Sequence, residues 1–252
     1  MLIKKEVSDG IIAPSFDDEA LEILKQKKGG NYLILQVDET YDTKDLTEYR
    51  EVFGMTLTQK THSIIVKPED MKNWVTNKTS QEQNTLLDLF IANCTLKYTP
   101  SNSIVYACKG QVIGVGAGQQ NRVDCVKLAG NKAINWWKRQ SPCISNGNFP
   151  EDCKRQEKVN MIMNFINQNI NENEIFTKTE QDKLHMDDIV NQDIVLASDA
   201  FFPFPDNIDE AHSRNVKYII QPGGSILDNS VISKCNDYDI GMCFTGVRMF
   251  YH

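Results

Sequence analysis

The sequence has few of the residues that mark common metal and catalytic sites. It contains only four histidines in 252 residues, and none stands in an H-E-x-x-H or H-x-E motif. Its seven cysteines include no pair with the two-residue gap of a zinc knuckle or a redox motif. The G-x-S-x-G nucleophile motif is also missing. These absences exclude recognisable zinc deaminases, zinc proteases and serine hydrolases, and the irregularly spaced cysteines are expected to be reduced thiols.

An excess of positive charge and long apolar runs are missing as well. The net charge is −7, from 27 Lys and Arg against 34 Asp and Glu, whereas a duplex-binding surface needs a strong positive field. No apolar run approaches the ~18 residues of a membrane span, and the opening MLIKKEVSDG lacks the apolar core of a signal peptide. We therefore expect a cytosolic protein with no nucleic-acid or membrane partner. Anionic ligands would be held by a few local Arg and Lys side chains.

The residue pattern predicts an α/β fold. Segments with helical spacing alternate with short aliphatic runs, and this rhythm is typical of a mixed or parallel sheet with helices on its faces. Residues 41–49 are polar and predict a loop, and residues near 143–190 predict a surface insertion that is partly helical. The clearest predicted helices cover 79–98, 122–139, 208–215 and 227–237, and the clearest strands 104–108, 112–115, 193–197, 216–220 and 240–243.

A glycine-rich segment, VIGVGAGQQNR at Val112–Arg122, joins a predicted strand to a predicted helix. The backbone amides at the start of that helix could bind an anion. Gln119 stands where a dinucleotide fingerprint needs glycine, and the G-K-[ST] ending of a P-loop is missing. The alternative is a glycine turn that lets the strand and the helix pack closely.

Two polar segments follow predicted elements. Thr99–Ser103 (TPSNS) is either a helix-stop turn or a hydrogen-bonding elbow around Asn102. Gln221–Ser225 (QPGGS) repeats the order of strand, glycine turn and helix.

An aromatic segment and an isolated arginine complete the candidates. Ser198–Asn207 (SDAFFPFPDN) follows a strand, where open α/β sheets bind ligands. Its phenylalanines could contact a flat heteroaromatic ligand, or they could form a small apolar cluster beneath a loop. Arg248 lies among apolar residues near the C-terminus, either as a solvated residue or as a fork for phosphate or carboxylate.

Five segments together resemble the AICAR transformylase family, in the order in which that family carries them. The resemblance covers nearly the whole chain and is weakest over residues 143–190. The segments are EVSDGIIAP (Glu6–Pro14), KYTPSNS (Lys97–Ser103), GQVIGVGAGQQNRVDCVKLAGNKA (Gly110–Ala133), SDAFFPFPDN (Ser198–Asn207) and GVRMFYH (Gly246–His252).

The resemblance implies a fold of cytidine-deaminase-like three-layer α/β/α units without zinc. It implies formyl transfer from 10-formyltetrahydrofolate to the 5-amino group of AICAR, giving FAICAR in de novo purine (IMP) biosynthesis. It further implies a homodimer whose active sites are shared between two chains. Residues 1–78 would be the remnant of a first unit, and residues 79–252 a second unit carrying the surface insertion.

The resemblance also implies roles for individual residues. Asn102 would be catalytic, because its side-chain amide can donate to the oxyanion that forms when the weakly nucleophilic AICAR amine attacks. The residues that match AICAR-binding positions are Asp9, Asn102, Arg122, Phe201 and Arg248. Those that match folate-binding positions are Val123, Asp206, Ser225 and Ile226. Thr99, Ser101, Ser103 and Asp199 resemble a structural potassium site.

The sequence departs from the family in one respect. The family's catalytic Lys-His pair lies in an upstream segment that this sequence does not contain, and the IMP cyclohydrolase domain is also absent from it. The expectation is a truncated transformylase that retains much of the ligand pocket. The alternative is a non-catalytic remnant that binds nucleotide or folate, or that serves only in dimerisation.

Overall fold

The chain is described by a computed structural model that covers residues 3, 7–40, 46–167 and 175–250. It divides into two compact units, residues 1–64 and 65–252. The sequence places the division after residue 78, whereas the structure includes residues 65–78 in the second unit. The reason is backbone pairing: Val75 N donates to Met242 O at 2.9 Å, and Trp74 forms an antiparallel bridge with Cys243.

The first unit contains two small sheets. Strands β1 (Gly10–Ala13) and β2 (Leu33–Gln36) pair in parallel, with helix α1 (Asp18–Lys25) between them in the chain. Strands β3 (Thr47–Val52) and β4 (Met55–Lys60) form an antiparallel hairpin around Phe53-Gly54, where both residues have positive φ.

The prediction of a loop over residues 41–49 is wrong for residues 47–49. Residues 47–49 belong to β3, and residues 41–45 lie outside the described residues. The polar composition of β3 is compatible with a strand because nearly all side chains of this hairpin are exposed, so neither face requires an apolar stripe.

Large apolar side chains of the first unit are exposed. Ile12, Leu33 and Leu35 have 63%, 60% and 54% of their surface exposed, and all three lie on the two-stranded parallel sheet. Two-stranded sheets are at best marginally stable alone, and exposed apolar patches commonly mark interaction surfaces. This sheet is therefore a candidate contact surface.

The second unit is built on a five-stranded sheet in the order β6-β5-β7-β8-β9. Strand β5 is antiparallel to both of its neighbours, whereas β7, β8 and β9 are parallel to one another. The strands are β5 (Ile104–Cys108), β6 (Gln111–Gly116), β7 (Ile194–Ser198), β8 (Val216–Gln221) and β9 (Gly241–Phe244). The helices are α2 (Gln83–Lys97), α3 (Arg122–Lys138), α4 (Pro142–Ser145), α5 (Arg155–Ile166), α6 (Glu180–Asp187), α7 (Asp206–His212) and α8 (Asp228–Asp237).

Helices cover both faces of this sheet. Alternate residues of β5 enter two separate cores, since Tyr106 packs with α3, α7 and α8, whereas Val105 packs with α2. The same alternation separates Leu196 from Val195 on β7. The α/β prediction is confirmed, and this unit has three layers. Within the described ranges, no helix combines the length and apolarity needed to cross a membrane.

Helices α4, α5 and α6 lie in the described part of the region predicted as a surface insertion. They enclose an apolar cluster of their own around Ile144, Ile166 and Phe176. We call α4, α5 and α6 with their connections the helical excursion. A cavity of about 470 Å³ opens in it, and none of the predicted site residues lines this cavity.

Asp182 makes the stability of the helical excursion depend on pH in the acid range. Burial raises the pKa of its carboxyl, but hydrogen bonds from the Cys143 and Thr179 amides, both 2.7 Å, outweigh burial and lower the pKa to about 2 from 3.8. Because the folded-state pKa is depressed, the stabilisation is complete above pH ~4 and is lost as the pH falls toward 2. We expect Asp182→Asn to cost about 2 kcal/mol at pH 6 and progressively less below pH ~4.

Urea unfolding across this pH range measures the effect. Asp187→Asn, an exposed change on the same helix, is the control. A cost of Asp182→Asn that is unchanged between pH 6 and pH 2.5 contradicts the assigned role of the ionised carboxylate.

Candidate functional site

One edge of the five-stranded sheet collects the segments that the sequence singles out. The parallel strands β7, β8 and β9 end there, and the loops 199–205, 222–227 and 245–250 follow them. Strand β5 runs the opposite way, so it begins at this edge, where Ile104 pairs with Ser198 of β7 and Gly116 of β6. Five loops therefore meet where open α/β sheets bind ligands.

A buried ion pair lies at the centre of this edge. Arg122 is the first residue of α3, and Asp199 follows β7; their side chains are 6% and 0% exposed. Arg122 Nη1 contacts Asp199 Oδ1 and donates to Ser198 Oγ at 3.2 Å and to Ser103 O at 3.4 Å. Asp199 Oδ2 accepts from Ser103 N at 3.0 Å. The pair therefore joins three chain segments without leaving either charge unpaired.

Asn102 contacts this ion pair directly. Its Oδ1 accepts from Arg122 Nη2 at 2.9 Å, and its Nδ2 donates to Gln119 O at 2.9 Å. Below it, Cys125 Sγ donates to Asn102 O at 3.2 Å. Burial raises the pKa of Cys125 to about 11, so this thiol stays neutral and keeps its proton at neutral pH. Because Oδ1 faces Arg122 and Nδ2 faces Gln119 O, the amide of Asn102 has one defined orientation, with its donor end away from Arg122.

Glycines bring β6 close to α3. A Cβ atom on Gly114 would lie 2.2 Å from Ala129 O, and one on Gly116 would lie 2.5 Å from Cys125 O. Close packing of the strand against the helix, the alternative to anion binding, therefore explains Gly114 and Gly116. Gly118 has φ 62° and donates to Pro100 O at 3.1 Å, which ties the glycine segment to the loop that carries Asn102.

The three phenylalanines of the aromatic segment have different environments. Phe202 is fully buried in the core, whereas Phe204 is 57% exposed. The guanidinium carbon of Arg248 lies 5.5 Å from the ring centroid of Phe201 and 5.9 Å from that of Phe250, within cation–π range. An exposed cation over an aromatic ring is suited to an anionic ligand that has a flat ring.

The C-terminal tail connects Arg248 and Phe201 to the buried ion pair of Arg122 and Asp199. Met249 N donates to Asp199 O at 2.9 Å, so the residue next to Arg248 is fixed to the residue that holds Arg122. The structure therefore brings together four predicted residues, Asn102, Arg122, Phe201 and Arg248, on adjoining segments.

The residues predicted to bind folate lie on neighbouring segments. Val123 is the second residue of α3 and is half-buried. Asp206 accepts from Asn207 Nδ2 at 2.8 Å at the start of α7, and Ser225 N donates to Asp228 Oδ2 at 3.1 Å at the start of α8, so both bonds are local. Ile226 projects fully into solvent.

Asp9 belongs to the first unit, immediately before β1. It forms an exposed ion pair with Lys28, and the hydrogen bond and charge of that lysine hold the pKa of the Asp9 carboxyl below its ordinary 3.8. Its predicted role at the nucleotide stays a prediction.

The residues implied for potassium lie around the buried ion pair. Both Asp199 oxygens are engaged, and a cation beside them would meet the positive guanidinium of Arg122. Thr99 Oγ1 donates its proton to Thr95 O at 2.7 Å, so its lone pairs stay available to a cation, and Ser103 Oγ is a buried oxygen without a hydrogen-bond partner among the described residues. The potassium role of Thr99, Ser101, Ser103 and Asp199 stays a prediction. Among the described residues, His, Cys, Asp and Glu form no group of three or more that could hold a metal.

Gln221 is a site-building residue that the sequence reasoning did not identify. It is fully buried at the end of β8, and its Oε1 accepts from Phe202 N and Gly223 N, both at 3.3 Å. Its Nε2 lies 3.3 Å from Met242 Sδ. One amide therefore fixes the aromatic loop to the glycine loop. Nothing in the segment QPGGS indicates from sequence that its glutamine bridges two loops.

Gln221→Leu is expected to destabilise the folded chain by about 2–4 kcal/mol, because two buried amides lose their acceptor. Urea unfolding checks this, with the exposed Gln156→Leu as the matched control, for which a change within about 0.5 kcal/mol is expected. Equal stability of the two variants contradicts the bridging role.

The fold and site define an α/β protein with its candidate ligand groups at the carboxyl edge of a sheet. The chain belongs to the AICARFT/IMPCHase bienzyme family, whose model matches residues 1–132, more than half of the sequence.

Curated relatives extend the match over most of the chain. It is 34% identical over 242 residues to the bifunctional purine biosynthesis protein PurH of Oceanobacillus iheyensis, 34% over 244 residues to that of Ligilactobacillus salivarius, and 35% over 242 residues to that of Prochlorococcus marinus. Each alignment covers 96% of this chain and 36% of the relative. The chain thus spans about a third of the length of these relatives.

Proposed function

We propose that this sheet edge binds AICAR and 10-formyltetrahydrofolate and serves formyl transfer between them in purine biosynthesis. Membership of the AICARFT/IMPCHase family supports this reaction, as do the relatives named for purine biosynthesis. The observation that carries the proposal is the pairing of an oriented amide, Asn102, with an exposed cation over an aromatic ring, Arg248 and Phe201, at one edge.

The proposed nucleotide position rests on Arg248 and Phe201. A guanidinium offers a planar set of donors that matches phosphate, and it is exposed here. Phe201 supplies an apolar face beside it for the rest of the nucleotide. Asp9 is proposed for the base or ribose side of AICAR on the family resemblance alone.

Asn102 is proposed to stabilise the oxyanion of the reaction. Attack of the AICAR amine on the formyl carbon forms a tetrahedral intermediate with negative charge on the former carbonyl oxygen. With Oδ1 held by Arg122, Nδ2 is the end left to donate, and only one of its two protons is used by Gln119 O. The resemblance assigns removal of the amine proton to a Lys-His pair upstream of the segments matched here.

The folate is proposed to bind between Val123 on α3, Asp206 at the start of α7, and the loop before α8 that carries Ser225 and Ile226. Asp206 and Ser225 offer exposed or half-buried polar groups, and Ile226 offers an apolar side chain with no surface buried. An apolar and polar set of this kind suits a flat heteroaromatic ring with hydrogen-bonding edges.

A cytosolic homodimer with shared sites is part of the proposal. The exposed Ile12, Leu33 and Leu35 of the first unit support a subunit contact. The acidic composition supports small-molecule partners over nucleic acid.

The test is formyl transfer from 10-formyltetrahydrofolate to AICAR by the purified 252-residue chain, with product separated by chromatography and AICAR binding measured in parallel. Product that is lost in Asn102→Ala supports the proposal. A folded chain that binds AICAR but forms no product supports the binding site and refutes the catalytic part. A folded chain that neither binds nor reacts refutes both.

A further inference from the structure

We infer that the cavity of the helical excursion is a second ligand site, and that it takes a small organic anion with a flat apolar body. None of the residues proposed for AICAR or folate lines this cavity, so the proposed function leaves it unassigned. Its lining comes from the end of α3, from α4, from the end of α5 and from the segment 178–186, which includes most of α6.

The wall of the cavity is largely apolar, and its size is that of a small-molecule site. The volume is about 470 Å³, within the roughly 300–1,000 Å³ that is typical of such sites. Ile144 and Ile166 are buried at this wall, and Phe165 and Met186 are half-buried there. Because removing apolar surface from water is favourable, this wall suits the hydrocarbon part of a ligand.

The acidic side chains that line the cavity already have partners. Asp182 Oδ1 accepts from Cys143 N at 2.7 Å, and Asp182 Oδ2 accepts from Thr179 N and Thr179 Oγ1 at 2.7 and 2.8 Å. Glu180 forms an exposed ion pair with Lys183 at 4.0 Å. Both carboxylates are therefore engaged within the helical excursion.

Two other lysines give the cavity a positive character. Within the part of the chain that the structure describes, neither Lys138 nor Lys178 forms an ion pair. Lys178 Nζ lies 5.2 Å from the centroid of the Phe165 ring, so this cation stands over an aromatic wall. Lys138 is half-buried, and a charge attracts a counter-ion more strongly where water is partly excluded.

The combination of apolar wall and unpaired lysines discriminates among classes of ligand. A cation would be repelled by both lysines, and a neutral apolar compound would gain burial without a counter-charge. A carboxylate attached to a flat ring gains from both the wall and the cations. We therefore expect it to bind at least about tenfold more tightly than a neutral compound of the same shape.

Calorimetric titration of the 252-residue chain with 2-naphthoate, a flat aromatic carboxylate, tests this preference, with the neutral 2-naphthamide as the matched compound. Lys138→Gln and Lys178→Gln are each expected to weaken 2-naphthoate binding about three- to tenfold. Lys127→Gln, at an exposed position of α3 outside the cavity, is expected to leave it unchanged. Equal affinity for the two compounds, or no binding of 2-naphthoate by the folded chain at millimolar concentration, overturns the inference.

The location of the bound anion needs its own test, because Arg248 could also attract a carboxylate. The affinity for 2-naphthoate is expected to be the same in Arg248→Ala as in the native chain. Methyl NMR of the native chain should show shifts of the Ile144 and Ile166 signals, which are assigned by their loss in Ile144→Val and Ile166→Val. The signals of Ile219, in the core of the sheet, should not move. Binding that is lost in Arg248→Ala and unaffected by the two lysine changes places the anion at the sheet edge and overturns the inference.

Discussion

Arg248→Ala is expected to weaken AICAR binding about 100-fold, because a charge-assisted, two-point contact with phosphate contributes up to about 3 kcal/mol. Arg248 is exposed above Phe201 and Phe250, so its removal takes away the proposed phosphate contact without opening a cavity in the core. Calorimetric titration with AICAR measures the change in Kd.

Two further variants make this result specific. Arg248→Lys keeps the charge and loses the planar fork, so an intermediate loss is expected. Arg139→Ala removes an arginine at the end of α3 and is expected to leave the Kd unchanged. Unaltered binding in Arg248→Ala excludes this residue from the nucleotide site.

Asp199→Ala is expected to produce the largest loss of stability, about 3–5 kcal/mol, because it leaves the buried guanidinium of Arg122 without its counter-charge. The same change leaves Ser103 N without its acceptor. Urea unfolding at neutral pH measures the free energy of unfolding.

The matched control is Glu69→Ala, which removes an ion pair with Lys67 whose side chains are 66% and 62% exposed. Exposed pairs contribute about 0–1 kcal/mol, so this variant should be close to the native chain. Similar stability of Asp199→Ala and Glu69→Ala contradicts the central place given to the buried pair.

Most elements of the second unit could be predicted from the sequence because each has a strong local signal. The strand at Ile104–Cys108 is a continuous apolar run, and α3 starts at the predicted Arg122, with Asn121 accepting from Asp124 N at 2.8 Å as its N-cap. The hairpin of β3 and β4 lacked such a signal, because strands with exposed faces carry no apolar alternation. The unit boundary depended on the pairing of Val75 with Met242, which is distant in sequence.

The sequence motifs place Asn102, Arg122 and Arg248 next to strand ends, and the structure shows these strand ends at one edge of the sheet. Their roles stay predictions, and the directions of their side chains could not be predicted. That Arg122 faces inward and Arg248 outward depends on Asp199, which lies 77 residues from Arg122 in the chain. The bridging amide of Gln221 depends likewise on loops that meet only in the folded chain.

The central claim is that this edge recognises a ribonucleotide through its phosphate and its ring. The direct measurement is calorimetric titration of the unmodified 252-residue chain with AICAR and, separately, with the corresponding riboside, which lacks the phosphate. The account predicts that AICAR binds and that the riboside binds at least ~30-fold more weakly, as loss of a charged, two-point contact requires. Equal affinity for the two compounds, or no binding of AICAR by the folded chain, would contradict it.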